Sequence, residues 1–383
     1  MSGGNTVVVL GGSGFIGRAL LRALADDPHF TGNRQTPLRV LNVDTGPLPA
    51  GESSQDVDPR KVSVEYCQAD LGDAADRARV LAMLRERAGE SKGKILGVVV
   101  LAAYYDFRDQ PDARYDSLQA GFAELFPLLV REVLPEGAPL IFASSMASLA
   151  PTEPGQRLTH DSERVGLWHY PRYKLAAEDL LRELATEARG PIVELVLAGV
   201  YSDHCELVPL YQTLRLLKSA SPERWFYPGP TDRGLTYVHV DETARAFCAA
   251  LKLRNSADSA DASTNHIRCL IGQTEPLTYR KIHALAGQKL RGRRPLLVRI
   301  PRVFAWLGAH VLGALARLIG KRRFIQPWMI RFAGEHFEFD VAHTKTVLGW
   351  SPDRLLANEL PAILDRAARD WPGFTARNDR RPW

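Results

Sequence analysis

Residues 7–17, VVVLGGSGFIG, constrain this chain more than any other stretch. The apolar run 7–10 stops abruptly at glycines. A helical pattern then starts, with Phe15, Ile16, Ala19, Leu20, Ala23 and Leu24 on one face. This reads as strand, tight turn, helix. Gly11, Gly14 and Gly17 fall at the G-x-x-G-x-x-G spacing. In such a unit the first glycine permits the sharp turn and the second lets the backbone approach a diphosphate. The third lets helix and strand pack closely. The helix N-terminus offers N–H groups and a positive dipole end to the same diphosphate. Any strand–helix turn favours glycine, but one directly after a buried strand points to a bound dinucleotide, with Ser13, Phe15 and Ile16 beside it.

The pattern continues downstream. Residues 38–43 form a second apolar run that ends in Asp44, and 62–67 a third, followed by Asp70-Leu71. Residues 95–101 are continuously apolar, as in a parallel strand buried on both faces, and lead into Ala102-Ala103-Tyr104-Tyr105-Asp106-Phe107. Residues 140–143 and 192–197 read as further strands. Helical patterns at 74–87, 118–134 and 173–186 separate them. This alternation predicts a doubly wound parallel sheet with helices on both faces. Residues 46–60 read as a surface loop and 255–263 as a polar linker. After Gly199 the rhythm changes. A helix is expected at 208–218, a strand at 235–240 and a helix at 241–251, the last two returning to the main sheet. The domain expectation is therefore 1–198, with 235–272 returning to it, and a smaller mixed α/β domain from 199–234 and 273–383.

An acid at the end of the second strand accepts hydrogen bonds from the adenosine ribose and repels an added phosphate. Asp44 holds that place, 27 residues past Gly17. The expected cofactor is NAD; Arg34 and Arg39 nearby leave NADP open. The chain has 383 residues, 45% of them hydrophobic and 24% charged, which is the make-up of a globular protein. Its charge of +5 is small for this length, and no basic face interleaved with aromatics suggests nucleic acid. Cys67, Cys205, Cys248 and Cys269 are scattered without metal-ligand spacing, so no metal is expected and the thiols read as reduced. No signal peptide is apparent, and the expected location is the cytoplasm.

Tyr170 and Lys174 stand four apart, on one face of a helix start. Pro171 is tolerated there because a first-turn N–H has no helical partner. A free tyrosine is too weak an acid to serve as a base at neutral pH. A nearby lysine ammonium and a cationic nicotinamide favour the phenolate, so Tyr170 becomes a candidate proton acceptor as hydride leaves a substrate alcohol. Alone, such a pair is usually a solvated helix face; downstream of the glycine turn it carries more weight. Ser144 and Ser145 end a predicted strand, where ligands gather in parallel sheets. Read without the Tyr–Lys pair, they are a pair of turn serines.

These pieces together resemble the extended short-chain dehydrogenase/reductase family, also called the NAD-dependent epimerase/dehydratase family. The resemblance rests on Gly11 to Gly17, Asp70-Leu71, Leu101-Ala102-Ala103, Ser144-Ser145, Tyr170 with Lys174 and Glu178, Gly199-Val200-Tyr201 and Tyr237 to Asp241. Phe339-Asp340 and Leu348 to Pro352 add the C-terminal pattern. It implies a Rossmann-type domain and a C-terminal substrate domain. It implies Ser145, Tyr170 and Lys174 as the catalytic set, with Tyr170 and Lys174 also meeting the cofactor and Lys174 binding the nicotinamide ribose; Asp70 and Leu71 flank the adenine, and Leu101, Ala102 and Ala103 also line the cofactor. Dehydratases of the family follow the catalytic position with Asp-Glu. Here Met146 and Ala147 stand there, and neither can move a proton. Leu118 to Phe122, Leu197-Ala198 and Ser202 also depart from the family pattern.

Residues 303–319 form an apolar stretch with Phe304, Leu307, Val311, Leu315 and Leu318 in one stripe. Arg299 and Arg302 precede it; Lys321, Arg322 and Arg323 follow. It is short for a membrane span. The readings are a helix lying on the core, an oligomer contact such as a homodimer, or a peripheral helix on a membrane. Hydroxysteroid dehydrogenases of the family have a comparable region. The leading expectation is thus an oxidoreductase moving hydride between nicotinamide and a secondary alcohol or ketone of a sterol-like small molecule. The alternative is a sugar-nucleotide epimerase using the same three residues, with Arg233, Arg291 or Arg294 on the diphosphate. A third is a non-catalytic dinucleotide-binding scaffold.

Overall fold

A computed structural model describes residues 5–32, 36–46, 58–89, 94–254, 265–318, 320 and 323–379. Most of the loop expected at 46–60, the linker at 255–263, and residues 34, 319, 321 and 322 lie outside the described residues.

Seven strands form the central sheet: β1 (Thr6–Leu10), β2 (Leu38–Asp44), β3 (Val62–Gln68), β4 (Ile95–Val100), β5 (Leu140–Ser145), β6 (Ile192–Leu197) and β7 (His266–Ile271). Their order is β7-β6-β5-β4-β1-β2-β3, and every neighbouring pair is parallel. Side chains alternate across the sheet, as a strand's period of two requires. Val7, Val9, Val40, Val99, Ile141 and Val193 pack on one face. Val8, Leu10, Leu41, Val98, Leu140 and Phe142 pack on the other. Both faces are covered, so β1, β4 and β6 are buried along their whole length.

The helices used below are α1 (Phe15–Asp26), α2 (Ala74–Gly89), α3 (Ala113–Leu128), α4 (His169–Leu184), α5 (Val208–Lys218), α6 (Val240–Lys252), α7 (Tyr279–Arg291), α8 (Arg302–Leu318) and α9 (Leu356–Arg369). α1 and α6 bring Leu20, Leu24, Phe247 and Leu251 to the first face. α3 and α4 bring Phe122, Phe126, Tyr173 and Leu181 to the second. Burying one such side chain is worth about 1.5–3 kcal/mol. A separate core of Tyr211, Leu214, Ile282, Ala286, Leu360 and Leu364 joins α5, α7 and α9.

Three expectations change. The helix expected at 118–134 begins at Ala113 and ends at Leu128; a π-turn follows over Leu129–Val133. Pro127 lacks an N–H, and past it the chain takes the wider spacing in which Leu134 N donates to Leu129 O. The helix expected at 173–186 begins earlier, at His169, so Tyr170 sits inside its first turn. The strand expected at 235–240 breaks into Gly234–Leu235 and Tyr237–His239. Tyr237–His239 pairs with Gly199–Tyr201 and not with the main sheet. β7 is the strand that extends the sheet beside β6.

The C-terminal pattern residues pack onto the sheet-side core. Phe339 is fully buried in the sheet-side core. Trp350 Nε1 donates to Glu242 O at 3.0 Å, and Glu242 lies in α6 over the sheet.

Candidate active site

The glycine turn is built as a cradle. Gly11 has φ +88°, and a Cβ there would lie 2.5 Å from Ala102 N at the end of β4. Only glycine fits both demands. A Cβ on Gly17 would lie 2.2 Å from Gly12 O, so α1 can approach the turn only because that side chain is missing. Gly14 differs. A Cβ there meets nothing nearer than Gly11 O at 3.7 Å, and Gly14 caps α1 without a side-chain hydrogen bond. The N-terminus of α1 thus faces open space over bare backbone, which is what a diphosphate requires.

The walls of the cradle come from neighbouring strands. Asp44 ends β2, and its Oδ2 accepts from Ser13 N at 2.9 Å. Asn42 Oδ1, buried in β2, accepts from Gly12 N at 3.0 Å. Leu101 and Ala102 both donate their N–H groups to Leu10 O at 2.8 Å. Phe15 and Ile16 open α1, and Ala103 is exposed beyond β4. Leu71 is buried after β3, where its carbonyl faces Gly121 of α3 so closely that a Cβ there would sit 2.2 Å away. Asp70 is exposed, and its Oδ1 accepts from Gly72 N at 2.8 Å. The residues singled out for the dinucleotide therefore gather at the C-terminal ends of β1, β2, β3 and β4. The unpartnered helix start and open glycine fit such a group.

Ser145, Tyr170 and Lys174 meet at the end of β5. The Ser145 hydroxyl faces the Tyr170 hydroxyl and favours its phenolate. Ser145 Oγ also accepts from Ala147 N at 3.2 Å. Ser144 points the other way: its hydroxyl bonds Glu178 inside the protein. The two serines are thus separated by the strand's alternation, one facing the cleft and one the core. Lys174, one turn beyond Tyr170, is 2% exposed. Its Nζ donates to Ala143 O at 2.8 Å and lies 4.7 Å from the centre of the Phe142 ring.

Burial dominates the electrostatics of the Tyr170–Lys174 pair. Burial pushes the Tyr170 phenol up to about 12, against the Ser145 hydroxyl, and the Glu178 charge adds to the rise. Burial also pulls the Lys174 ammonium down to about 8, with Glu178 opposing. Among the protein's own groups, burial is the largest influence on the phenol. The Lys174 amino group is turned to a carbonyl and is itself poorly solvated, so desolvation dominates for both groups.

Two parts of the site were not foreseen in the sequence. The first is an aromatic wall. Tyr105 packs edge-on against Tyr170 at 4.5 Å, Trp168 lies 5.5 Å from Tyr170, and Trp328 lies 5.2 Å from Trp168. Phe107 joins it from beside Tyr105, and Phe324 from beside Phe107. The loop carrying Tyr105 is held by polar contacts: Arg108 pairs with Asp106 and Asp112, and the Tyr104 hydroxyl bonds both carboxylates. The run Tyr104-Tyr105-Asp106-Phe107 was its only local signal. The second part is a buried charge cluster behind Ser144. Glu178 meets Ser148 at 3.2 Å and Arg164 at 3.4 Å, while Arg268 of β7 lies 3.5 Å from Glu194 in the neighbouring strand.

The basic residues considered for a substrate diphosphate are largely engaged elsewhere. Arg233 pairs with Glu153, and Arg291 Nη1 donates to Lys218 O and Ser219 O. Arg294 is exposed.

Comparison with known proteins agrees with this geometry. A family model described as the NAD dependent epimerase/dehydratase family matches residues 7–263. Among curated proteins none matches the chain significantly. Solved structures do match. A UDP-glucose 4-epimerase of Thermotoga maritima with UDP-glucose is 17% identical, covering 95% of this chain and 100% of its own, with a TM-score of 0.64. MoeE5 in complex with UDP-glucose and NAD is 18% identical over 98% and 100%, with a TM-score of 0.62. A UDP-glucuronic acid 4-epimerase of Bacillus cereus, in complex with UDP-glucuronic acid and NAD, is 18% identical over 95% and 99%, with a TM-score of 0.62. At these identities the structures establish the shared fold. None of these neighbours is a hydroxysteroid dehydrogenase, so that narrower resemblance finds no support. With a family model covering two-thirds of its length and the fold in agreement, the chain belongs to the NAD dependent epimerase/dehydratase family.

Proposed function

We propose that this protein is an NAD-dependent epimerase of a nucleotide-linked sugar, with Ser145, Tyr170 and Lys174 as its catalytic set. The observation that carries the reading is the Ser145 hydroxyl facing the Tyr170 phenol with Lys174 Nζ 5.8 Å from its ring centre, followed by Met146 and Ala147 in the sequence. That set can move one proton at a carbinol oxygen. It has no second acid–base pair for eliminating water, which argues against a dehydratase. The membership of the family and the sugar-nucleotide ligands of its solved neighbours support this substrate class over the sterol-like one.

The glycine turn, Asp44 and the α1 N-terminus would hold NAD, and the chemistry NAD supplies when bound is reversible hydride acceptance. The chain's own residues do the rest. Ser145 orients the reacting oxygen. Tyr170 takes the hydroxyl proton and later returns it. Lys174, with Nζ 5.8 Å from the Tyr170 ring centre, is the nearby positive charge for the phenolate. The Tyr170 phenol at about 12 holds its proton at neutral pH, and the Ser145 hydroxyl opposes that by favouring the phenolate. Tyr105 and Trp168 pack against the Tyr170 ring and form an apolar side of the site.

The test is incubation with NAD and UDP-glucose or UDP-glucuronic acid. Chromatography should reveal the C4 epimer, with no net rise in nicotinamide absorbance. The aromatic wall favours a second reading, a net dehydrogenase of a less polar secondary alcohol, which would instead give a steady rise in absorbance and no epimer. A protein that binds NAD and does neither across both substrate classes sinks both readings.

A further inference from the structure

Helix α8 presents the wrong side to the body. Ala309 and Ala316 are its buried residues, and Ala305, Gly308, Leu312 and Gly313 continue the same half-buried stripe. Small residues thus seat the helix on the Pro327–Phe332 turn. The large apolar stripe is turned outward: Phe304, Leu307, Val311 and Leu315 are each about half exposed or more, and Leu318 is 82% exposed. Of eleven exposed large hydrophobic residues among the described ones, seven lie on this one helix. Scattered exposed leucines need no explanation, but a contiguous apolar face does.

Along the chain, the segment that carries that face is one-sided in charge; from elsewhere, Asp365 pairs with Lys289, Glu223 with Arg323, and Glu335 faces Arg302 and Arg331. Residues 276–334 contain thirteen Lys and Arg and no Asp or Glu. This stretch carries +13 in a chain whose total is +5, which leaves −8 for the remainder. Arg293, Arg294, Arg299, Arg302 and Arg317 are exposed in and beside α8.

We infer that α8 docks this protein on the surface of an anionic lipid bilayer. An exposed apolar stripe, a Trp and a basic surround match an interfacial helix, and the bilayer supplies the missing negative charge. No described helix is long and apolar enough to cross a membrane, so the contact is peripheral. A symmetric pairing of two copies through the same face would bring the exposed Arg299, Arg302 and Arg317 of both copies together, and like charges oppose it. Docking has a consequence for the cleft. The turn beneath α8 carries Trp328, which lies 5.2 Å from Trp168 in the aromatic wall. The apolar side of the cleft therefore sits next to the docked helix. This inference rests on the surface alone and is independent of the reaction assigned to the cleft.

The experiment is flotation of the full-length protein with phosphatidylcholine vesicles, with and without phosphatidylglycerol, beside light scattering without lipid. The wild type should float with the anionic vesicles and be released by high salt. F304S/L307S/L315S, all solvent-facing changes, should keep its melting temperature and lose more than ~tenfold in vesicle affinity. R293Q/R294Q/R299Q tests the charge separately and should weaken binding several-fold. The inference is overturned if the wild type stays unbound, or if it binds both vesicle types equally. It is also overturned if both variants bind like the wild type, or if the apolar variant merely turns a lipid-free dimer into a monomer.

Discussion

Lys174→Met removes a charge that the fold holds against its preference. The residue is 2% exposed; its ammonium donates to the Ala143 carbonyl at 2.8 Å and lies 4.7 Å from the Phe142 ring, 5.8 Å from the Tyr170 ring and 6.0 Å from the Tyr173 ring. Burial lowers its pKa from 10.5 to about 8, with Glu178 offsetting part of the drop. At 1.36 kcal/mol per pH unit, that difference costs the native state about 3 kcal/mol while the lysine is charged. The sign follows from proton binding. Between pH 8 and 10.5 the unfolded chain holds the proton more firmly than the folded one, so stability rises with pH across that window. Below pH 8 the penalty is present in full. Methionine fills a similar volume without the charge, and loses one hydrogen bond worth about 1 kcal/mol. The variant should therefore be about 2 kcal/mol more stable than the wild type at pH 7, while losing turnover. Urea denaturation at pH 7 and again near pH 10 measures this directly. A variant less stable than the wild type at pH 7 refutes the reasoning. So does an advantage that fails to shrink as the pH rises.

Tyr170→Phe should lower turnover by roughly 10²–10⁴ and leave NAD affinity unchanged in a fluorescence titration; unchanged turnover of the true substrate removes the proposed acid–base role. Ser145→Ala removes the hydroxyl that favours the phenolate. The alkaline limb of the rate profile should then move to higher pH, and an unmoved limb contradicts the pairing. Gly17→Ala should prevent stable folding, because its Cβ falls 2.2 Å from Gly12 O. Gly14→Ala has room, with 3.7 Å to the nearest atom, so it should fold normally and weaken NAD. Equal melting temperatures for the two glycine variants count against this account of the cradle.

Local pattern revealed the glycine turn, the parallel sheet and the Tyr170–Lys174 pair because each is written in a short, regular spacing. Helix limits were less legible. Pro127 ends a helix inside a run whose apolar pattern continues, and Tyr237–His239 looks like a sheet strand but pairs with Gly199–Tyr201. The choice of Ser145 over Ser144 came from resemblance; in the structure it rests on which way β5 faces, since Ser144 turns to Glu178. The aromatic wall was invisible because it joins Tyr105, Trp168 and Trp328 across long stretches of chain.

By itself, the sequence determined a parallel α/β fold that opens on a glycine turn and places Tyr170 and Lys174 on one helix face. Periodicity and glycine spacing act locally, and local rules suffice for these. Only the tertiary structure decided that Lys174 is buried at a carbonyl and that the large apolar stripe of α8 looks away from the core. Periodicity says which residues share a helix face. It does not say which face meets the body, because that depends on what the rest of the chain packs against it.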